Sequence, residues 1–172
     1  MKSILATSMI VAILATGAVA QQSTNRVAVK TDWNVFVEDD PTQCWAVAVP
    51  KETINTKDGR PVAVRRSEIQ LFVSYWPGTN VKSELSFTGG YPFAKGSTVT
   101  AQIGSNSYEL YTSGENAWPA DAAADAKIIA AMKRGAEVVL TGRSSRGTVT
   151  KDRFSLLGFT AAVDEAAKRC AK

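Results

Sequence analysis

From Trp33 to about Tyr111 the chain alternates apolar and polar residues with a period of two, the repeat of a strand that buries one face. Trp33, Val35 and Val37 share one side of a first strand, and Asp39-Asp40-Pro41 breaks it. Next, Cys44, Ala46 and Ala48 lie opposite Trp45, Val47 and Val49, a run apolar on both faces, as in a sandwich interior. Lys57-Asp58-Gly59-Arg60 sits between short β-prone runs and reads as a hairpin turn, because Asp-Gly accepts the positive φ that a tight turn needs. Glu68 to Tyr75 is the cleanest strand: Ile69, Leu71, Val73 and Tyr75 face one way, and only Phe72 interrupts the polar side. Trp76-Pro77-Gly78 ends it, and further strands follow at Ser83 to Phe87, Thr98 to Ile103 and Tyr108 to Thr112, the last two joined by Gly104-Ser105-Asn106-Ser107. Short strands at such regular spacing predict a mainly β chain, an antiparallel β-sandwich or barrel-like fold.

Two α-helices interrupt this pattern in the C-terminal third. Asp121 to Arg134 is alanine-rich, with Ala124, Ile128 and Met132 on one stripe. Asp121 and Asp125 suit its positive end, Lys133 and Arg134 its negative end, and Gly135 the left-handed position that stops it. Strands return at Ala136 to Arg143 and Thr148 to Phe154, hinged by Ser144-Ser145-Arg146-Gly147. In the last helix Phe159, Val163, Ala166 and Cys170 recur at steps of four, three and four, so Cys170 faces the core. Asp164 with Lys168 and Glu165 with Arg169 form acid-before-base pairs on its solvent side.

The amino end has the form of an export signal: Lys2, an apolar run from Ile4 to Leu14, and Ala18-Val19-Ala20 ahead of Gln21. Cleavage is expected after Ala20, which makes residues 1–20 a signal peptide and residues 21–172 a single β-rich domain. The run is far shorter than the roughly 20 residues of a spanning helix, so no transmembrane segment is expected and the product is periplasmic or secreted. In such an oxidising compartment Cys44 and Cys170, the chain's two cysteines, are expected to form a disulfide. They lie 126 residues apart, and closing a loop of that length is worth on the order of 4–5 kcal/mol in the chain-entropy view.

Charge and composition narrow the chemistry. Losing Lys2 with the signal leaves 19 basic residues of the original 20 against 16 acidic ones, a mild net +3, and an exported protein seldom meets nucleic acid, so no nucleic-acid partner is expected. The chain contains no histidine, which removes every imidazole mechanism and, with only two distant cysteines, the usual zinc ligand sets. No metal, cofactor or catalytic residue is therefore assigned. Ser144-Ser145 and Gly104-Ser105-Asn106 read as turns, and neither matches the Gly-x-Ser-x-Gly elbow of a hydrolase.

Candidate ligand contacts are instead basic and aromatic. Arg65 and Arg66 precede a strand, and Arg143, Arg146, Lys151 and Arg153 flank a turn; guanidinium groups fork onto anionic oxygens if folding gathers them. The plainer reading is a set of solvated strand ends that discourage edge pairing. Tyr75 and Trp76, with Tyr91-Pro92-Phe93, are candidates for an aromatic platform, against the plainer reading of core packing.

Asp32-Trp33 followed by Cys44, and Phe154-Ser155-Leu156-Leu157-Gly158-Phe159-Thr160-Ala161-Ala162 leading to Cys170, carry a resemblance to a known family. With Arg65-Arg66, Phe87-Thr88-Gly89-Gly90-Tyr91-Pro92 and Ile129-Ala130-Ala131-Met132-Lys133-Arg134-Gly135 in the same order, the chain resembles the invasion-associated locus B family of secreted α-proteobacterial proteins. The resemblance implies a small β-rich envelope or secreted protein, associated in namesake members with bacterial entry into host cells, and implies no established chemistry. The expected function is thus non-enzymatic, with an envelope glycan, an anionic lipid or a host surface component as candidate partner. The alternatives are a structural periplasmic protein without a dedicated ligand, and a hydrolase or lyase acting on an envelope polymer.

Overall fold

The structure, a computed structural model, describes residues 25–39, 42–79 and 83–171. The expected signal segment and the Asp40-Pro41 break lie outside the described residues. The strands of the amino-terminal half are β1 (Arg26–Lys30), β2 (Trp33–Asp39), β3 (Thr42–Ala48), β4 (Glu52–Lys57), β5 (Arg60–Pro61), β6 (Gln70–Tyr75) and β7 (Glu84–Thr88). They are followed by β8 (Thr98–Ile103), β9 (Asn106–Ser113), β10 (Asn116–Trp118), helix α1 (Ala122–Met132), β11 (Glu137–Arg143), β12 (Val149–Ser155) and helix α2 (Phe159–Cys170).

Among the described residues the strands make one 12-stranded sheet in the order β1-β2-β3-β6-β7-β10-β9-β8-β11-β12-β4-β5, antiparallel at every pairing. The sheet is not closed, since β1 and β5 form its two edges, but it curls until its halves meet. Trp33 Nε1 on β2 donates to the Ser155 carbonyl at the end of β12 (3.0 Å), and Phe87 on β7 meets Phe154 on β12 edge to face at 6.1 Å. Between the halves runs one hydrophobic core built from the inner positions of the alternation, among them Val35, Leu71, Val73, Leu85, Val99, Leu110 and Leu140. The mainly β, antiparallel expectation holds. The alternatives of sandwich and barrel resolve into a single curled, open sheet.

Helix α2 lies on the inner face of β1, β2, β3 and β6, where Phe159 packs against Trp33 at 4.8 Å. The expected disulfide is present: Cys44 on β3 and Cys170 at the end of α2 are bonded at 2.03 Å, with Cα atoms 5.9 Å apart. Gly158 opens the helix at φ 87°, and a Cβ there would overlap the Lys30 carbonyl, so only glycine lets the helix start this close to the β1–β2 turn. Helix α1 is capped by the Asp121 carboxylate, which accepts from Ala124 N–H at 2.8 Å. Its Asp125 accepts from Leu85 N–H at 2.7 Å. That contact satisfies β7 beyond the point where the short β10 stops pairing with it.

Three sequence expectations change here. Gly135 does not adopt the left-handed stop; it is needed because a Cβ would stand 2.7 Å from Ile103 Cγ2 and 3.0 Å from Leu156 Cδ1. Asp164 turns from Lys168 to Lys133 at the C-terminal cap of α1 (2.8 Å), while Glu165 does pair with Arg169 as expected. Strand β1, absent from the sequence reading, pairs with β2 through a local bulge.

Candidate functional site

Arg66 enters the molecule rather than a ligand site. Its guanidinium, in the segment between β5 and β6, donates through Nη1 and Nη2 to the Asp152 carboxylate on β12 at 2.7 and 2.6 Å, and through Nε and Nη2 to the Gly89 carbonyl at 2.9 and 2.7 Å. The Arg66 side chain is 5% exposed and that of Asp152 is 0%. Thr53 donates a further hydrogen bond to the carboxylate, and the Tyr91 ring lies 4.9 Å from the guanidinium carbon. The pair clasps β12 to the β6–β7 half of the sheet.

The remaining candidates divide. Tyr75 stands opposite Cys44, half-buried beside the disulfide, where burial pushes its hydroxyl up to about 12. Tyr91 and Phe93 also turn inward, packed edge to face at 4.9 Å, so neither Tyr75 nor the Tyr91-Phe93 pair forms an exposed platform. Trp76 is half-buried just after β6. Arg153 is held by Glu52 at 3.0 Å and by Glu137, whose hydrogen bond above all pushes the arginine's proton affinity further up. Arg65 and Arg146 are exposed, on the segment before β6 and at the β11–β12 turn. The seven candidates Arg65, Arg66, Arg143, Arg146, Arg153, Tyr75 and Trp76 therefore do not converge: Arg66, Tyr75 and Arg153 are committed to partners within the chain.

What does converge is the outer face of β10, β9, β8, β11 and β12. Trp118 and Tyr111 are cross-strand partners, 39% and 54% exposed. Tyr111 stands opposite Thr98 on β8, and Arg143 ends β11, where its carbonyl accepts from Ala94 N–H at 2.9 Å and the pairing with β8 has stopped at Thr141 and Thr100. The next row on the same face reads Glu109, Thr100, Thr141 and Lys151. Among the described residues neither Arg143 nor Lys151 is in a salt bridge, and both are exposed. Beyond Lys151 the face deepens into a groove of about 690 Å³, lined by Gln102, Asn106, Arg134, Glu137, Lys151 and Arg153.

The face therefore offers flat aromatic area at one end, unneutralised cations, and a band of threonine hydroxyls and amides between them. Stacking on apolar ring faces, charge-assisted contact with anionic oxygens and hydroxyl hydrogen bonding are all available on this face. Among the described residues no group of three or more histidine, cysteine, aspartate or glutamate side chains is placed to hold a metal ion. Sequence reasoning identified Arg143 and Lys151 but missed Tyr111 and Trp118. The signal was available in part, since Tyr111 falls on the polar phase of its strand, but its pairing with Trp118 depends on contacts seven residues apart across β9 and β10.

An open, curled antiparallel sheet with its last helix locked to an early strand by a long-range disulfide defines the structural class. The chain belongs to the invasion associated locus B (IalB) family, whose sequence profile matches residues 33–167. The fold is similar to the crystal structure of invasion associated protein B from Bartonella henselae, with a TM-score of 0.56 and 14% identity, over 84% of this chain and 98% of that one. No curated protein sequence matches the chain. Among the described residues no helix is long and apolar enough to cross a membrane.

Proposed function

We propose that the chain is an exported, non-enzymatic binding protein of the cell envelope, and that its outer sheet face holds an anionic glycan. The observation that carries this reading is the exposed Tyr111–Trp118 pair sharing one continuous face with the unpaired cations Arg143 and Lys151. The paired rings offer flat area for stacking, and a sugar ring presents both an apolar C–H face and hydroxyls to match. The two cations select acidic over neutral sugars. The disulfide and the export signal support placement outside the cytoplasm. Contact with a host surface, in keeping with the family's name, is one use of such a face.

A thermal-shift series with acidic and neutral oligosaccharides tests this. A ligand at about 100 times its Kd adds about 2.7 kcal/mol to the folded state, a rise of roughly 5–10 °C for a domain of this size. The acidic sugars are expected to raise the melting point and the neutral ones to do so less. Absence of any shift at saturating acidic sugar refutes the reading.

A further inference from the structure

Two departures from the alternation, the run from Cys44 that is apolar on both faces and Phe72 on the polar side of β6, fall on one surface. The inner phase of these strands is Val35, Ala46, Val73 and Leu85, none more than 1% exposed, so the residues between them point outward. One outward row is then Arg26, Phe36, Trp45, Ser74 and Glu84, successive partners across β1, β2, β3, β6 and β7. In the next row Val47 and Phe72 are partners. Phe36 and Trp45 stack on each other at 5.6 Å, and Val47 is only 7% exposed yet stands outside the inner core. The outer face thus carries an apolar cluster of its own. Both helices turn their apolar stripes into the inner core, through Phe159 and Val163 on α2 and Ile128 and Met132 on α1, and neither covers it.

The two ends of the first row are oppositely charged. Arg26 is exposed, and its Nη1 donates to the Asn34 side chain at 3.4 Å, which holds it on the outward side. Glu84 is half-buried; burial first and the nearby Asp125 carboxylate second raise its proton affinity. Among the described residues neither Arg26 nor Glu84 is in a salt bridge. Glu38 lies one row away, opposite Gln43.

We propose that this face is the contact between two copies of the chain, packed sheet against sheet about a two-fold axis that runs along β3 in the plane between them. Such an axis lays β1 of each copy over β7 of the other, so Arg26 meets Glu84 of the second copy at both ends, with Trp45 and its counterpart at the centre. Aligned sheets cross at about 30°, which over the two strand spacings from β3 to either end shifts the charges by about 5 Å, within an arginine's reach. A row with its cation at one end, its anion at the other and apolar rings between them is complementary to itself, and that selects a second copy as the occupant. The contact lies on other strands than those bearing Tyr111, Trp118, Arg143 and Lys151 and does not depend on the glycan reading.

Sedimentation velocity of the exported chain over a range of concentrations tests the proposal. The parent is expected to pass from monomer to dimer as concentration rises. R26E and E84R each set like charges against one another at both ends and are expected to weaken the dimer at least about tenfold. An equimolar mixture of these two variants, and the double variant R26E/E84R, bring opposite charges together again at both ends. Both are expected to dimerise as the parent does, a recovery that misfolded variants cannot show. Y111A/W118A is expected to dimerise unchanged. The proposal is overturned if the parent stays monomeric up to about 1 mM, or if R26E and E84R dimerise undiminished. It is equally overturned if neither the mixture nor the double variant regains the dimer, or if Y111A/W118A abolishes it.

Discussion

Replacing Asp152 by asparagine removes one charge and almost no volume, from a position where the carboxylate is fully buried and receives hydrogen bonds from both Arg66 and Thr53. The guanidinium of Arg66, itself 5% exposed, then keeps the Gly89 carbonyl but loses its counter-ion. Leaving a buried charge uncompensated costs about 3–5 kcal/mol, against a total domain stability on the order of 5–15 kcal/mol. At roughly 2–4 °C per kcal/mol for a chain of this length, the melting point should fall by about 6–20 °C. The comparison variant is Lys133→Met, which breaks the exposed Lys133–Asp164 pair between the two helices and should cost no more than about 1 kcal/mol. R66M/D152L removes both charges and is expected to recover most of the loss, since an apolar pair of similar volume needs no solvation. Calorimetry on the oxidised chain reads all three. If Asp152→Asn melts within a degree or two of Lys133→Met, the clasp between β12 and the β6–β7 half does not hold the curled sheet together.

Reduction of the disulfide, or the variant C44S/C170A, is expected to lower the unfolding free energy by about 4–5 kcal/mol, because a link across 126 residues strongly restricts the unfolded chain. Urea unfolding with and without reductant measures this, and a loss under about 1 kcal/mol contradicts it. Burial raises the proton affinity of both Asp125 and Glu84, so the folded state holds these protons more tightly than the unfolded chain. Stability is therefore gained as pH falls from neutral through their raised range, before Asp32 and Glu165, held low by Lys51 and Arg169, begin to lose their contributions at lower pH. Asp125→Asn keeps an oxygen for the Leu85 N–H and should flatten the early gain in melting temperature; an unchanged pH profile counts against this assignment.

The inner layer of this fold is legible in the chain because it is periodic. Steps of four, three and four from Phe159 to Cys170 place that cysteine on the buried stripe of α2, whereas Cys44 falls in a run apolar on both faces, so the disulfide is legible from the pair of cysteines and the expected oxidising compartment rather than from the side of β3. Arg66 misleads for the opposite reason. Next to Arg65 on a polar stretch it resembles a solvated strand end, and its partner Asp152 lies 86 residues away on a strand whose own sequence gives no sign of the pairing. Tyr91 and Phe93 flank Pro92 just after Gly89-Gly90 in the manner of a loop, yet close approach of Gly89 and Gly142 to the Phe93 ring shows that they fill the space between the halves. The outer face shows least in the sequence. Glu109, Thr100, Thr141 and Lys151 are brought into one row beside Tyr111 and Thr98 by the strand order β9-β8-β11-β12, and that order is set by the curl of the whole sheet rather than by any local run.

Isothermal titration of an acidic oligosaccharide into the parent, Y111A/W118A and R143S/K151S tests directly whether the aromatic pair and the two exposed cations act together. The parent is expected to bind, with affinity falling as salt rises; the aromatic variant should lose affinity for acidic and neutral sugars alike, and the cation variant mainly for the acidic ones. Equal heats of binding in all three proteins would place the ligand elsewhere on the molecule and contradict the assignment of this face.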